Sequence, residues 1–334
     1  MIENRFYHIA QVFTIYLTKL NMPMQGILPL KNALLNARAD DYTLTPIHAD
    51  FLQLCILSRC YNSALPVVKS TILSISRGGI FHHSHFLRFY YYGGIVMLAV
   101  KQYEAAMGLF DRVISARAVV ISAIMFEAYK KYILTSLLVE GKVSGGKSSM
   151  VQRHLKALTQ PYHEFATSYA TKSFEDINKC VEKNAEIFIK DKNLGLIKKC
   201  ISNLYNANIK SYTKTYLTLS LKGISEGAKI EKLEEVENRL VGMIETGELY
   251  ASVNQKDGIV SFSEANEKYD TSNTLSQLDN SLKTLIRLGD IIKFQDDKNA
   301  LNFNYIQRTQ LQEQRWEEQE DIGGMGMGMG MFRG

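Results

Sequence analysis

Cysteine is scarce in this 334-residue chain, and its four copies, Cys55, Cys60, Cys180 and Cys200, are scattered with no CxxC pair. That distribution points to a reducing compartment rather than to a disulfide framework. Long apolar blocks are missing as well: no run of eighteen apolar residues occurs, so no segment reads as a membrane-spanning helix. The opening MIENRFYHIAQVFTIYLTKL spreads its apolar residues as a helical stripe instead of the solid block of a signal peptide, which predicts a chain that is neither secreted nor membrane-bound. No serine, cysteine or paired-carboxylate constellation stands at catalytic spacing, so no catalytic residue and no cofactor is assigned.

Two motifs look chemical and are not read so. Gly141 to Ser148 satisfies GxxxxGKS, whose amides and Lys147 would cradle nucleotide phosphates. A phosphate loop follows a buried strand, whereas Tyr129, Tyr132, Ile133, Leu137 and Leu138 have helical spacing, so the stretch is expected to be a glycine-serine connection between helices. His82-His83-Ser84-His85 contains an H-x-H, but a hydrolytic zinc also needs a third protein ligand and a carboxylate to activate its water. Neither follows at workable spacing, and the histidines read as the turn that starts a helix. No metal ligand is assigned.

What the chain does hold is helical periodicity. Hydrophobic residues make up 46% of it, enough for a substantial core in two domains. Phe6, Ile9, Phe13, Leu17 and Leu20 predict a first amphipathic helix, with Pro23 and Pro29 bracketing the break after it. Tyr61-Asn62-Ser63-Ala64-Leu65 repeats forty-two residues later as Tyr103-Glu104-Ala105-Ala106-Met107, with Leu54 and Ile56 answering Val96 and Leu98. That period predicts an array of helical hairpins, with Ala64 and Ala106 at the close crossings. Further helices are expected over 119–139, 162–170 and 177–189, the last opened by a Ser173/Asp176 capping box. One more runs from Leu194 to Ile209 into the next domain without a flexible linker.

From Thr215 the pattern changes. Thr215 to Ser220 reads as a strand, Leu221, Ile224 and Ala228 as a short helix, and Val236, Leu240, Met243 and Ile244 as one face of a second helix stopped by Gly247. Leu249, Ala251 and Val253 alternate with polar neighbours, Lys256-Asp257-Gly258 turns, and Ile259 to Phe262 returns. Strand, two helices and a hairpin make a winged helix. Its second helix holds six acids (Glu231, Glu234, Glu235, Glu237, Glu245, Glu248) against Lys232 and Arg239, the wrong sign for a groove walled by phosphates. Nucleic-acid binding is therefore disfavoured there; the competing route would be the basic middle, where Lys172 to Lys222 holds ten lysines against five acids. A small sheet with free edges can instead pair with a neighbour's strand. The candidate edge residues are Thr218, Ser220, Tyr250, Ser252, Asn254, Gln255, Asp257, Gly258, Ile259 and Ser261. Beyond the wing, Leu275, Leu278, Leu282, Leu285 and Ile292 keep the three-four spacing of a helix seam, with Gly289 in the one vacant position, and such a seam needs partner helices.

A helical-hairpin array running unbroken into a winged helix, followed by a seam helix, resembles the PCI-domain family of the proteasome lid, the signalosome and translation initiation factor three. The resemblance is carried by Gly26-Ile27-Leu28-Pro29-Leu30, Ile47-His48-Ala49-Asp50, Phe89-Tyr90-Tyr91-Tyr92-Gly93-Gly94, Tyr129-Lys130-Lys131-Tyr132-Ile133-Leu134, Leu217-Thr218-Leu219-Ser220-Leu221 and, most specifically, Ser252-Val253-Asn254-Gln255-Lys256-Asp257-Gly258-Ile259-Val260. Within the family the wording is closest to signalosome members. The resemblance implies a mainly α fold: a TPR-like α-solenoid over 1–192, the winged-helix part of a PCI domain over 193–264, and a C-terminal bundle helix and extension over 272–308. Two features depart from it: the solenoid starts where the family has earlier helices behind it, and the polar and Met/Gly tail over 309–334, expected to be disordered from its low complexity, is not part of the pattern. It implies a non-catalytic scaffold, cytoplasmic and nuclear, that meets other PCI subunits through winged-helix edges and a helix bundle. Cullin-RING ligases would be reached indirectly, through removal of the ubiquitin-like modifier NEDD-eight from cullins. The neighbouring expectation is the same role in the proteasome lid.

Overall fold

A computed structural model of the chain describes residues 2–37, 43–70, 72, 74–75, 81–116, 120–143, 150–213, 215–228, 233–254, 258–263, 272–303 and 305–308. The array consists of α1 (Ile2–Lys19), a 3-10 turn (Pro23–Gly26), α2 (Ile27–Ala37), α3 (Pro46–Leu57), α4 (Tyr61–Lys69), α5 (His83–Ala99), α6 (Tyr103–Ile114), α7 (Ala123–Val139), α8 (Met150–Leu158), α9 (Gln160–Ala170), α10 (Phe174–Lys183), α11 (Ala185–Lys190) and α12 (Leu194–Thr213). Two short strands, β1 (Thr43–Leu44) and β2 (Ser74–Ile75), pair in parallel. The winged helix follows as β3 (Thr218–Ser220), α13 (Leu221–Ala228), α14 (Leu233–Glu245), β4 (Ala251–Asn254) and β5 (Ile259–Phe262), and α15 (Ser272–Ala300) comes last. Two compact units result, Met1–Ala265 and Asn266–Gly334.

The forty-two-residue repeat is the hairpin pair α3–α4 and α5–α6. Both hairpins turn alike: Arg59 and Lys101 take positive φ, 58° and 64°, and the Cys60 and Gln102 amides reach back to Cys55 and Met97 carbonyls at 3.0 and 2.9 Å. These bonds satisfy carbonyls that a helix end leaves open. Ala64 and Ala106 are fully buried at equivalent positions. Gly94 completes the α5–α6 crossing, because a Cβ there would stand 2.5 Å from a ring carbon of buried Phe110. The α3 and α5 starts also match, since the His48 and His85 Nδ1 atoms accept the Thr45 and His82 backbone N–H at 3.1 Å. The histidine cluster is therefore the start of a helix, and the element before Gly141 is helix α7 rather than a strand; residues 144–149, with Lys147, lie outside the described residues.

The expected face of α1 needs correcting. Tyr7, Ala10, Thr14 and Leu17 are buried, while Phe6, Ile9, Phe13 and Leu20 are exposed. Small Ala10 and Thr14, whose hydroxyl donates to the Ala10 carbonyl at 2.9 Å, let the helix lie close against α3. Pro29 falls in the first turn of α2 and does not mark a break. The helix expected over 177–189 is two, α10 and α11, separated at buried Asn184. The Asn184 amide donates to the Cys180 carbonyl at 3.2 Å, a side-chain bond that competes with helix continuation. The Ser173 capping box does not form.

α12 belongs to both cores. Ile197, Cys200 and Leu204 join the array core, Ile209 joins Ile224, Val236, Leu240, Met243, Leu249 and Val260 in the winged helix, and Tyr205 packs on both. The Asn203 amide donates to the Leu138 carbonyl at 2.8 Å and binds α12 to α7. All four cysteines are free thiols, and burial pushes Cys55 and Cys200 up to about 12.

Asp50 is buried in α3, and its burial raises the carboxyl from 3.8 to about 6 despite the opposing Arg88 guanidinium. A raised folded-state pKa means that the fold prefers the neutral acid. The stability from Asp50 is thus complete below about pH 4 and is lost as pH rises through about 6. Two units correspond to roughly 3 kcal/mol. Asp50→Asn should therefore stabilise the chain by about 2 kcal/mol at pH 7 and scarcely at pH 4, as read by urea unfolding; equal effects at both pH values would exclude burial of the charge as the cause.

Candidate interaction surfaces

The winged-helix sheet has strand order β3-β5-β4. β5 pairs with both neighbours, through Thr218↔Ser261, Leu219↔Val260 and Ser220↔Ile259 on one side and Ala251↔Phe262, Ser252↔Ser261, Val253↔Val260 and Asn254↔Ile259 on the other. Side chains alternate across the sheet. Leu219, Val260 and Val253 turn to the core, whereas Thr218, Ser261 and Ser252 form one exposed row and Ser220, Ile259 and Asn254 a second. Tyr250 extends this surface. None of these seven side chains carries charge, an unusual composition for a surface exposed to water.

Backbone direction separates face from edge. Hydrogen bonding alternates along an antiparallel strand. The Phe262 N–H donates to the Leu217 carbonyl and the Leu221 N–H to the Gly258 carbonyl, both at 2.8 Å. Leu219 therefore faces β5, and the N–H groups of Thr218 and Ser220 point to the outer edge. On the other side the Ser263 N–H donates to the Tyr250 carbonyl at 2.9 Å. Ser252 and Asn254 thus turn toward β5, leaving Ala251 and Val253 to point theirs outward. The expected edge set is corrected accordingly: Ile259 and Ser261 lie on the central strand, and Tyr250, Ser252 and Asn254 spend their backbone inward, so these five contribute side chains to the face only. Ala251 and Val253 are the edge residues that sequence reasoning missed. Gly258 takes the turn at φ +62°, while Gln255 and Asp257 lie outside the described residues.

Free exchange should follow this parity. In the isolated chain the amides of Thr218, Ser220, Ala251 and Val253 should exchange fast and those of Leu219, Ser252 and residues 259–262 slowly. Docking of a neighbouring strand should slow the first set at least tenfold. Hydrogen exchange with residue resolution checks this, and equal protection of both sets in the isolated chain would contradict the parity.

The second winged-helix element, α14, buries Val236, Leu240 and Met243 and leaves Glu234, Glu235 and Glu237 outward. Its one arginine is spent: Arg239 lies 2.9 Å from Glu235 and stacks 4.8 Å from the Tyr205 ring centroid. This surface repels polyanions. An open groove of about 670 Å³ between α6, α12 and α14 is lined by Lys101, Glu104, Asn203, Lys210 and Glu248, among others, without a nucleophile beside a base. Among the described residues no group of three metal-ligating side chains occurs, and no helix is long and apolar enough to cross a membrane.

Within its own unit α15 exposes the whole expected seam: Leu275, Leu278, Leu282, Leu285 and Ile292, from 51% at Leu282 to 63% at Leu275 and Leu285. Ile286, Leu288, Ile291 and Phe294 widen the apolar surface of its second half.

Comparison with known proteins agrees with this architecture. N-terminal helical repeats described for COP9 signalosome complex subunit 3 match residues 1–150, and a PCI domain matches residues 181–264. A COP9 signalosome complex subunit 3 from Dictyostelium discoideum is 39% identical over 90% of this chain and 73% of its own length. Its namesake from Drosophila melanogaster is 32% identical over 91% of this chain and 72% of its own length.

Proposed function

Because this chain belongs to the COP9 signalosome complex subunit 3 family, we propose that it is a non-catalytic scaffold subunit of the signalosome, the complex that removes NEDD-eight from cullins and so regulates cullin-RING ubiquitin ligases. The observation that carries the reading is the uncharged three-stranded sheet with two open edges, held at the end of a helical array by α12. Such an edge offers main-chain hydrogen bonds to a neighbour's strand, and α15 offers an apolar seam to neighbouring helices. In this reading Thr218, Ser220, Ala251 and Val253 give the edge contacts, and Tyr250, Ser252, Asn254, Ile259 and Ser261 the surrounding face. The acidic outer surface of α14 argues for protein partners over nucleic acid. Action on cullins places the protein in cytoplasm and nucleus, the catalytic centre belonging to another subunit.

Affinity purification of the tagged full chain tests the assignment. Recovery of the other signalosome subunits in stoichiometric amounts, with cullin-deneddylating activity lost on depletion of this chain, is the expected result. Recovery of proteasome-lid subunits instead, or of nucleic acid without protein partners, would overturn it.

A further inference from the structure

α15 presents a seam that complements itself. Numbering the exposed stripe as a heptad puts Leu275, Leu282 and Gly289 at one core position and Leu278, Leu285 and Ile292 at the other. In a parallel pair each residue meets its own copy, so Gly289 would face Gly289 of the partner subunit and leave that layer empty in the middle of the stripe. Reversing one helix removes the gap. Leu275 then meets Ile292 of the partner subunit, Leu278 meets the partner's Gly289, and Leu282 meets the partner's Leu285. The two-fold axis repeats the three layers, so six consecutive layers hold an apolar side chain on at least one side. Nothing opposes this register electrostatically: the flanking positions Asp279, Ser281, Ile286 and Leu288 place no two like charges across the seam, and Asp279 is already paired with Lys283 at 2.6 Å.

We propose that, while free of other partners, this chain pairs with a second copy of itself through an antiparallel α15–α15 seam. Self-pairing is isologous and closes at two copies. It covers the same leucines that assembly would use, so the pair is a storage form that a mixed bundle displaces. The matched stretch 275–292 spans only about 27 Å of helix, shorter than the three to four heptads of a self-sufficient coiled coil. The pair is accordingly weak and reversible, with dissociation in the micromolar range, as an exchangeable cover must be.

Sedimentation equilibrium of the purified full chain between 5 and 200 µM reads the mass, and disulfide trapping reads the direction; neither depends on whether the signalosome assignment holds. The expected mass rises from 37.9 kDa toward twice that value with concentration. Leu282→Arg with Leu285→Arg should remain monomeric at 200 µM while its circular dichroism and the melting of Met1–Ala265 stay unchanged. For direction, a Leu282→Cys chain mixed with a Leu285→Cys chain should form the mixed disulfide at least fivefold faster than either variant links to itself, with the wild-type chain as background for its own thiols. A chain monomeric at 200 µM, a double variant that still dimerises, or self-links faster than the mixed link would each overturn the proposal.

Discussion

Lys130→Met should destabilise the chain by about 3–5 kcal/mol, among the largest single-residue effects expected here. Lys130 is 3% exposed in the middle of α7. Its ammonium lies 2.6 Å from Glu127 and 2.9 Å from Asp191, and 4.3 Å from the centroid of the Phe126 ring. The other Asp191 oxygen accepts the Tyr162 hydroxyl at 2.8 Å, and that hydroxyl accepts the Asn193 amide at 2.9 Å. One buried chain of polar groups thus joins α7, α9 and the turn before α12. Removing the lysine leaves the Asp191 carboxylate poorly hydrated with a single hydroxyl donor, and a charge stranded in that way costs far more than the pair is worth. Lys130→Met with Asp191→Leu, which removes both charges, should recover most of the loss. Guanidinium unfolding of the two variants separates stranded charge from lost packing: a double variant as unstable as the single one would show that packing dominates.

That network was not legible beforehand. Lys130 lies in the Tyr129 to Leu134 stretch, where helical spacing marks the apolar face but cannot say that a lysine is inside it, because only Glu127 is local and the second acid partner, Asp191, stands sixty-one residues away in a turn. The face of α1 failed for a related reason. Phe6, Ile9 and Phe13 are the more hydrophobic stripe, yet close packing on α3 selects small Ala10 and Thr14, and hydrophobicity is a weaker guide than shape where two helices nearly touch. Local signals were reliable where backbone conformation decides: Gly247 and Gly258 both take positive φ, as their positions required, and the forty-two-residue repeat predicted two hairpins of the same construction.

The winged helix shows the same division. Its order of strand, helix, helix and hairpin was readable because each element carries its own period and its own stop. Which strand lies in the centre was not, since β3 could have joined either side of the β4–β5 hairpin at similar local cost. Central placement of β5 then decided by parity which amides remain outward, and so moved the edge from Ile259 and Ser261 to Ala251 and Val253. The helix α15 itself was legible because three-four spacing is a local signal, and the five residues expected to form its seam are exposed along it.

The same seam carries the largest expected effect on assembly. Leu282→Arg with Leu285→Arg should abolish incorporation into the multi-subunit complex. Each leucine moved from water into a helix bundle contributes roughly 1.5–3 kcal/mol, so the pair together accounts for about two to four orders of magnitude in affinity. The arginines add to this, since the bundle would have to accept unpaired guanidinium groups in an apolar layer. In a single copy of the chain both positions are at least half exposed, so the melting temperature of the isolated subunit, measured at a concentration too low for self-pairing, should stay within about 1 °C of wild type. Co-purification with partner subunits and thermal unfolding, measured on one preparation, make the test decisive. If the variant assembles normally but melts clearly lower, the helix serves its own chain and the seam assignment is wrong. If assembly is lost while the melting curve is unchanged, the five apolar positions from Leu275 to Ile292 are the handle by which the scaffold is held.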